Sequence, residues 1–125
     1  IKNIAEEHHL DLNRAEVIDI EKSAKMPEYI EELYQLRKRR GVTRTVAREL
    51  LKDPNYYGAM MVHMGDADGL ISGLTKHYPN TIKPALQIIK MEEGIHKVSG
   101  LYMMIIKNKI FFFACYPGYT RCFDF

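Results

Sequence analysis

Cysteine is scarce in this chain. Cys115 and Cys122 are the only two among 125 residues, and both fall near the C-terminal end. Two cysteines do not make a disulfide framework, so a reducing, cytoplasmic setting is expected. Long apolar runs are also missing. None reaches the ~18 residues that a membrane-spanning helix needs, and no signal-peptide pattern opens the chain. Charge of one sign is not in excess either. A formal charge of +2 and a pI near 8.5 are too mild to imply nucleic acid. Internal repeats and low-complexity linkers are absent, so about one domain is expected.

An initiator methionine is lacking as well. The first residues, "IKNIAEEHH", already follow a helical pattern, and the last, "CYPGYTRCFDF", show no clear periodicity. A truncated piece of a longer protein is expected.

What is present is an ordinary globular composition, 46% hydrophobic and 27% charged. Residues 16–20, "EVIDI", read as a short strand. "MPEYIEELYQLRKRRG" reads as a helix, with Pro27 near its start, acids in its first turns, bases in its last and Gly41 after it. Ile30, Leu33, Tyr34 and Arg37 share one stripe of that helix. Thr43 can cap a second helix with Val46, Ala47, Leu50 and Leu51 on one face, ended by Asp53-Pro54. Residues 59–64, "AMMVHM", read as a buried strand followed by an acidic loop and a helix from about Leu70, which "YPNT" at 78–81 would break. Residues 81–90 favour a helix and then a strand. Two apolar runs around Lys107-Asn108-Lys109 predict a β-hairpin over 101–114, covered on both faces. The class expected from this alternation is α/β, built as a layered αβα sandwich.

Asp66-Ala67-Asp68-Gly69 opens like a calcium loop, but Leu70 at the fifth position and His77 at the twelfth exclude that pattern. Capping of the next helix is the plainer reading. A ligand-facing loop is the alternative, because ligands of open α/β sheets sit beyond the carboxyl ends of strands. Arg37 on an apolar stripe needs a carboxylate or phosphate partner, and either Asp66 or Asp68 could be that carboxylate. Lys38, Arg39 and Arg40 read as a solvated face, and the basic cluster carries no interleaved aromatics that would favour nucleic acid. His8, His9, His63, His77 and His96 show no zinc spacing, so no metal site is expected. The methionines read as core filler.

"LRKRRGVT", "DPNYYGAMMVHMGDADGLISG", "IKPALQIIK" and "VSGLYMMII", in this order over roughly residues 3–114, resemble the phosphate acetyltransferase family. "GLTKHYPNTIKPALQ" looks most like the C-terminal phosphotransacetylase-like domain of bacterial NADP-dependent malic enzymes. The resemblance implies an isocitrate dehydrogenase-like sandwich, with residues 1–114 as part of one such domain and residues 115–125, where the resemblance stops, as an atypical, non-native tail. It also implies a regulatory and oligomerisation role in an enzyme that oxidatively decarboxylates malate, a homo-oligomer, and an acetyl-CoA-like effector. NADP and Mg or Mn would belong to that parent, with no cofactor in this chain. By the same resemblance Arg37 and Lys83 would bind a CoA ester or phosphate, and Asp66, Asp68, Gly69, Ser72, His77 and Tyr78 would form the cleft loop. The family's hydroxyl pair is replaced by His77-Tyr78 and its substrate-contacting arginine by Lys83. No catalytic residue and no acetyl transfer are therefore expected of the chain itself. A phosphate acetyltransferase fragment and a purely structural dimerisation domain are the competing readings.

Overall fold

The computed structural model describes residues 2–9, 11, 15–74, 76–91, 93–94 and 100–114. They fall into two compact units, 1–89 and 90–125.

The first unit is helical: α1 (Lys2–Glu7), α2 (Met26–Arg37), α3 (Arg44–Leu51), α4 (Pro54–Met64) and α5 (Tyr78–Ile88). The start and stop signals of α2 act as expected. Pro27 stands in the first turn, and a short 3-10 turn, Lys38–Arg40, closes on Gly41 at φ +82°, a left-handed value suited to glycine. Thr43 caps α3 by accepting the Val46 N–H at 3.3 Å. Packing of α2 on α3 and of α4 on both neighbours buries Tyr29, Ile30, Leu33, Ala47, Leu51, Ala59, Met60 and Ile88. Arg44 ties α2 to α3 from outside, meeting both Glu31 oxygens at 2.7 and 3.0 Å while lying 4.1 Å over the Tyr34 ring.

Several expected elements differ. Residues 16–19 take no regular structure, and Ile20–Lys22 form a 3-10 turn where a strand was expected. The run 59–64 is helix, not strand. Asp53-Pro54 starts α4 as well as ending α3, because the Asp53 carboxylate accepts the Asn55 N–H at 2.8 Å and Pro54 occupies the first turn. Its apolar residues look unperiodic because α4 is buried against more than one neighbour, a case in which periodicity cannot tell helix from strand. No helix begins at Leu70. "YPNT" starts α5 instead of breaking a helix, with His77 at the N-cap position and Pro79 in the first turn. No strand follows α5 at residues 89–91.

The second unit contains the expected hairpin, β1 (Leu101–Ile106) antiparallel to β2 (Lys109–Ala114). Ile106 pairs with Lys109, so the turn is the two residues Lys107 and Asn108, at φ +46° and +65°. Both values are left-handed, as a type I′ turn requires. Tyr102 faces Phe113 and Met103 faces Phe112 across the ladder. These side chains are exposed rather than covered. Among the described residues β1 and β2 are the only strands, so the architecture is mixed helix and strand with a small antiparallel sheet. No helix of the described residues is long and apolar enough to cross a membrane. Cys115, Cys122, His96 and the 115–125 tail lie outside the described residues.

Candidate functional site

The end of α4 explains what the two aspartates do. Gly65 at φ +77° stops the helix, and the chain turns so that Asp66 reaches the start of α2. Its carboxylate accepts the Tyr29 hydroxyl at 2.5 Å and the Lys25 ammonium at 3.0 Å. Neither aspartate caps a helix, because none follows. The Tyr29 hydroxyl, and after it Lys25, hold the Asp66 carboxyl below its ordinary range. Burial first, then the Asp66 bond, push the Tyr29 hydroxyl up, so it stays a donor. The Tyr29 and Tyr57 rings lie 5.1 Å apart, and the Tyr57 and Ser23 hydroxyls share a 2.5 Å hydrogen bond. This node holds together α2, α4 and the loop after α4. Asp68 and Gly69 beside it are exposed.

From Asp66 the chain doubles back along α4. The Leu70 side chain lies on Gly58, where an added Cβ would come within 2.7 Å of Leu70 Cδ1. Ser72 donates to Asn55 Oδ1 at 2.5 Å, and Lys76 meets Asp53 at 2.6 Å. The loop is thus tied to both ends of α4. Between these ties Ile71 and Leu74 point outwards, at 102% and 101% exposure. Gly73, at φ +119°, brings the loop against the first turns of α5, since a Cβ there would lie 3.8 Å from Thr81 Oγ1. Thr81 Oγ1 is itself buried with no partner among the described residues.

Arg37 pairs with neither Asp66 nor Asp68, against the salt-bridge reading. Its Nε is buried and has no hydrogen-bond partner among the described residues. It lies within electrostatic reach of the Tyr56 hydroxyl, which donates to Gln87 of α5 at 2.8 Å. Burial pushes that hydroxyl's pKa up, while Arg37 pulls the other way and Asp53 adds to the rise. The expected site residues are therefore split. Asp66 and Asp68 stand beyond the C-terminal end of α4, whereas Ser72 bonds to its first turn. His77, Tyr78 and Lys83 are exposed at or near the start of α5. Sequence reasoning missed Lys25, Tyr29, Asn55, Lys76 and Thr81. Asn55 alone carried a readable signal, two residues after a capping aspartate and directly after a helix-starting proline.

Known proteins show what this arrangement belongs to. The family model described as phosphate acetyl/butaryl transferase matches residues 1–116. The chain belongs to this family. The phosphate acetyltransferase of Synechocystis is 43% identical over 101 residues, which are 81% of this chain and 14% of that protein. That of Acetivibrio thermocellus is 43% identical over 108 residues, 86% of this chain and 32% of that protein. Among solved structures, a phosphotransacetylase from Streptococcus pyogenes aligns with a TM-score of 0.78 at 32% identity, over 89% of this chain and 34% of its own. One from Staphylococcus aureus gives 0.75 at 36% identity, over 89% and 33%. The chain thus spans about a third or less of the transferases it matches.

These relatives overturn the expectation of a malic enzyme module. Their names are phosphate acetyltransferase and phosphotransacetylase, so acyl transfer, not malate oxidation, is the chemistry of the relatives. Malate oxidation, the oxidoreductase class and NADP fall with that expectation, and the competing transferase reading is favoured. The expectation leaned on His77-Tyr78 and Lys83 as departures from the transferase pattern. In the structure His77 is an N-cap residue, and Tyr78-Pro79 opens α5. His77 makes no side-chain cap bond there, and Pro79 suits the first turn.

The Asp66 node of this transferase-family chain makes a pH prediction. A carboxyl held below its ordinary pKa stabilises the fold above the ordinary range and loses that contribution as pH falls through the lowered value. Tyr29→Phe removes the larger cause of the lowering. The variant should be less stable than wild type at neutral pH, with the gap closing below the ordinary value of 3.8. Urea midpoints across a pH series read this directly. A gap that does not change with pH would show that the hydroxyl does not act through Asp66.

Proposed function

We propose that this chain is part of a phosphate acetyltransferase and that Arg37 in its helical unit binds the anionic part of a CoA ester or phosphate. The structural observation that carries this is the buried Arg37 Nε with no partner among the described residues. An unsatisfied buried donor costs about 1–3 kcal/mol, and a guanidinium suits a phosphate by charge and shape. Lys83 on α5 supplies a second cation as a point charge. In this reading acetyl-CoA is a substrate. The acetyl–sulfur bond breaks, an acetyl–oxygen bond to phosphate forms, and the CoA thiolate takes up a proton.

Three other parts of this reading go beyond the small sheet described. They are a larger layered sandwich, a cytoplasmic location and a homo-oligomer. The hairpin, apolar on both faces and exposed, supports added layers or a second copy as its cover. The natural protein bearing this sequence should release CoA thiol from acetyl-CoA only when phosphate is present. Light scattering on the same preparation should give a mass above one chain. Thiol release that is independent of phosphate, or none at all, would sink the transferase reading.

A further inference from the structure

Helix α5 has a fault in its ladder, and α4 repairs it. Pro84 lies inside α5 and is buried. It has no N–H, so the Asn80 carbonyl four residues earlier loses its helical donor. The Asn55 side chain supplies one, with Nδ2 donating to the Asn80 oxygen at 3.3 Å. A carbonyl can only accept, which fixes the amide orientation and turns Oδ1 towards Ser72, whose hydroxyl donates at 2.5 Å. Asn55 is the one buried polar residue recorded among the described core, at 4% exposure, and it satisfies both halves of its amide here. One side chain therefore joins the first turn of α4, the returning loop at Ser72 and the proline-bearing turn of α5.

We propose that Asn55 is a positioning residue for the ester site. It sets the pose of the α5 turn that carries Thr81 and Lys83, and of the loop segment around Ser72 and Gly73 that lies against it. This rests on the transferase reading above. Without the Asn55 donor, the Asn80 carbonyl must turn towards water, and the turn bearing Thr81 and Lys83 turns with it. Ser72 loses its acceptor in the same step, which frees the loop beside Thr81. A displacement near 1 Å at a ligand-holding group can cost up to about 100-fold.

Calorimetric titration of the natural protein with acetyl-CoA, well below its melting temperature, tests this. Asn55→Ala should weaken binding about tenfold or more. Asn55→Asp keeps the acceptor for Ser72 but sets an oxygen against the Asn80 carbonyl, so it should weaken binding at least as much and stands in if the alanine variant fails to fold. Pro84→Ala returns an N–H to the ladder. In that background Asn55→Ala should cost several-fold less than it does with Pro84 in place, because the donor is no longer needed and only the loss of the Ser72 acceptor remains. A merely structural Asn55 would lower the melting temperature without this proline-dependent change in affinity. Wild-type affinity in both Asn55 variants, or an equal loss with and without Pro84, overturns the inference alone. A wild-type protein that does not bind acetyl-CoA overturns the transferase reading, and this inference with it.

Discussion

Leu33→Ala is expected to cost the helical unit about 2–5 kcal/mol. Leu33 is 1% exposed and lies in the cluster formed by Tyr29, Ile30, Ala47, Leu51 and Met60. Truncation removes apolar surface and leaves a hole that these neighbours fill only in part, because α2 is held from outside by Arg44 on Glu31 and at its start by Tyr29 on Asp66. The clamps keep α2 from settling into the hole, so the upper part of that range is favoured. Urea unfolding should show a lower midpoint with an unchanged slope, the mark of a stability change without a change in compactness. Val46→Ala, at an exposed position of α3, is the control and should stay within about 0.5 kcal/mol of wild type. A Leu33→Ala loss under about 1 kcal/mol would mean that the cluster is not the core of this unit.

Arg37→Leu should separate ligand binding from folding. Without ligand the variant is expected to be as stable as wild type or more so, since it removes a buried donor that has no partner. Acetyl-CoA affinity should fall by about tenfold to over a hundredfold, from loss of a charge-assisted hydrogen bond of about 1.5–3 kcal/mol. Arg37→Lys should recover part of that loss, because the charge remains while the planar fork is gone. The two effects run in opposite directions, so they cannot both come from a damaged fold. Chemical denaturation without ligand and calorimetry with acetyl-CoA measure them separately. A variant destabilised without ligand, with affinity intact, would return Arg37 to a structural role.

Local signals in the sequence were reliable where one residue's chemistry settles one backbone event. Pro27 and Gly41 bound α2 and its closing turn, Thr43 caps α3, and the left-handed Lys107-Asn108 pair turns the hairpin. Each is decided within about four residues, so no distant contact is needed. The family was legible for a related reason, since its motifs are long continuous stretches in fixed order. The identity of the enzyme was not. His77-Tyr78 and Lys83 were read as replacements of the family's hydroxyl pair and arginine, and that reading turned the sequence towards the wrong enzyme. The structure places the first two at the start of α5.

Tertiary structure decided the rest. The run 59–64 is apolar in both a strand and a buried helix. Contact of α4 with several neighbours favours helix, and the described residues form a helical unit and a small antiparallel sheet. Asp66 became an anchor for α2 because Tyr29, thirty-seven positions away, brings a hydroxyl to it. Among the described residues Arg37 meets no carboxylate, and Asp66 is held by Lys25 and Tyr29 instead. Asn55 could be read locally as a second residue of a helix, but the proline it compensates stands in another helix. Composition and turn chemistry determined which elements could start and stop in this protein. Which polar groups met was decided only when packing brought together residues far apart in the chain, because a buried donor takes whatever acceptor the fold places within reach.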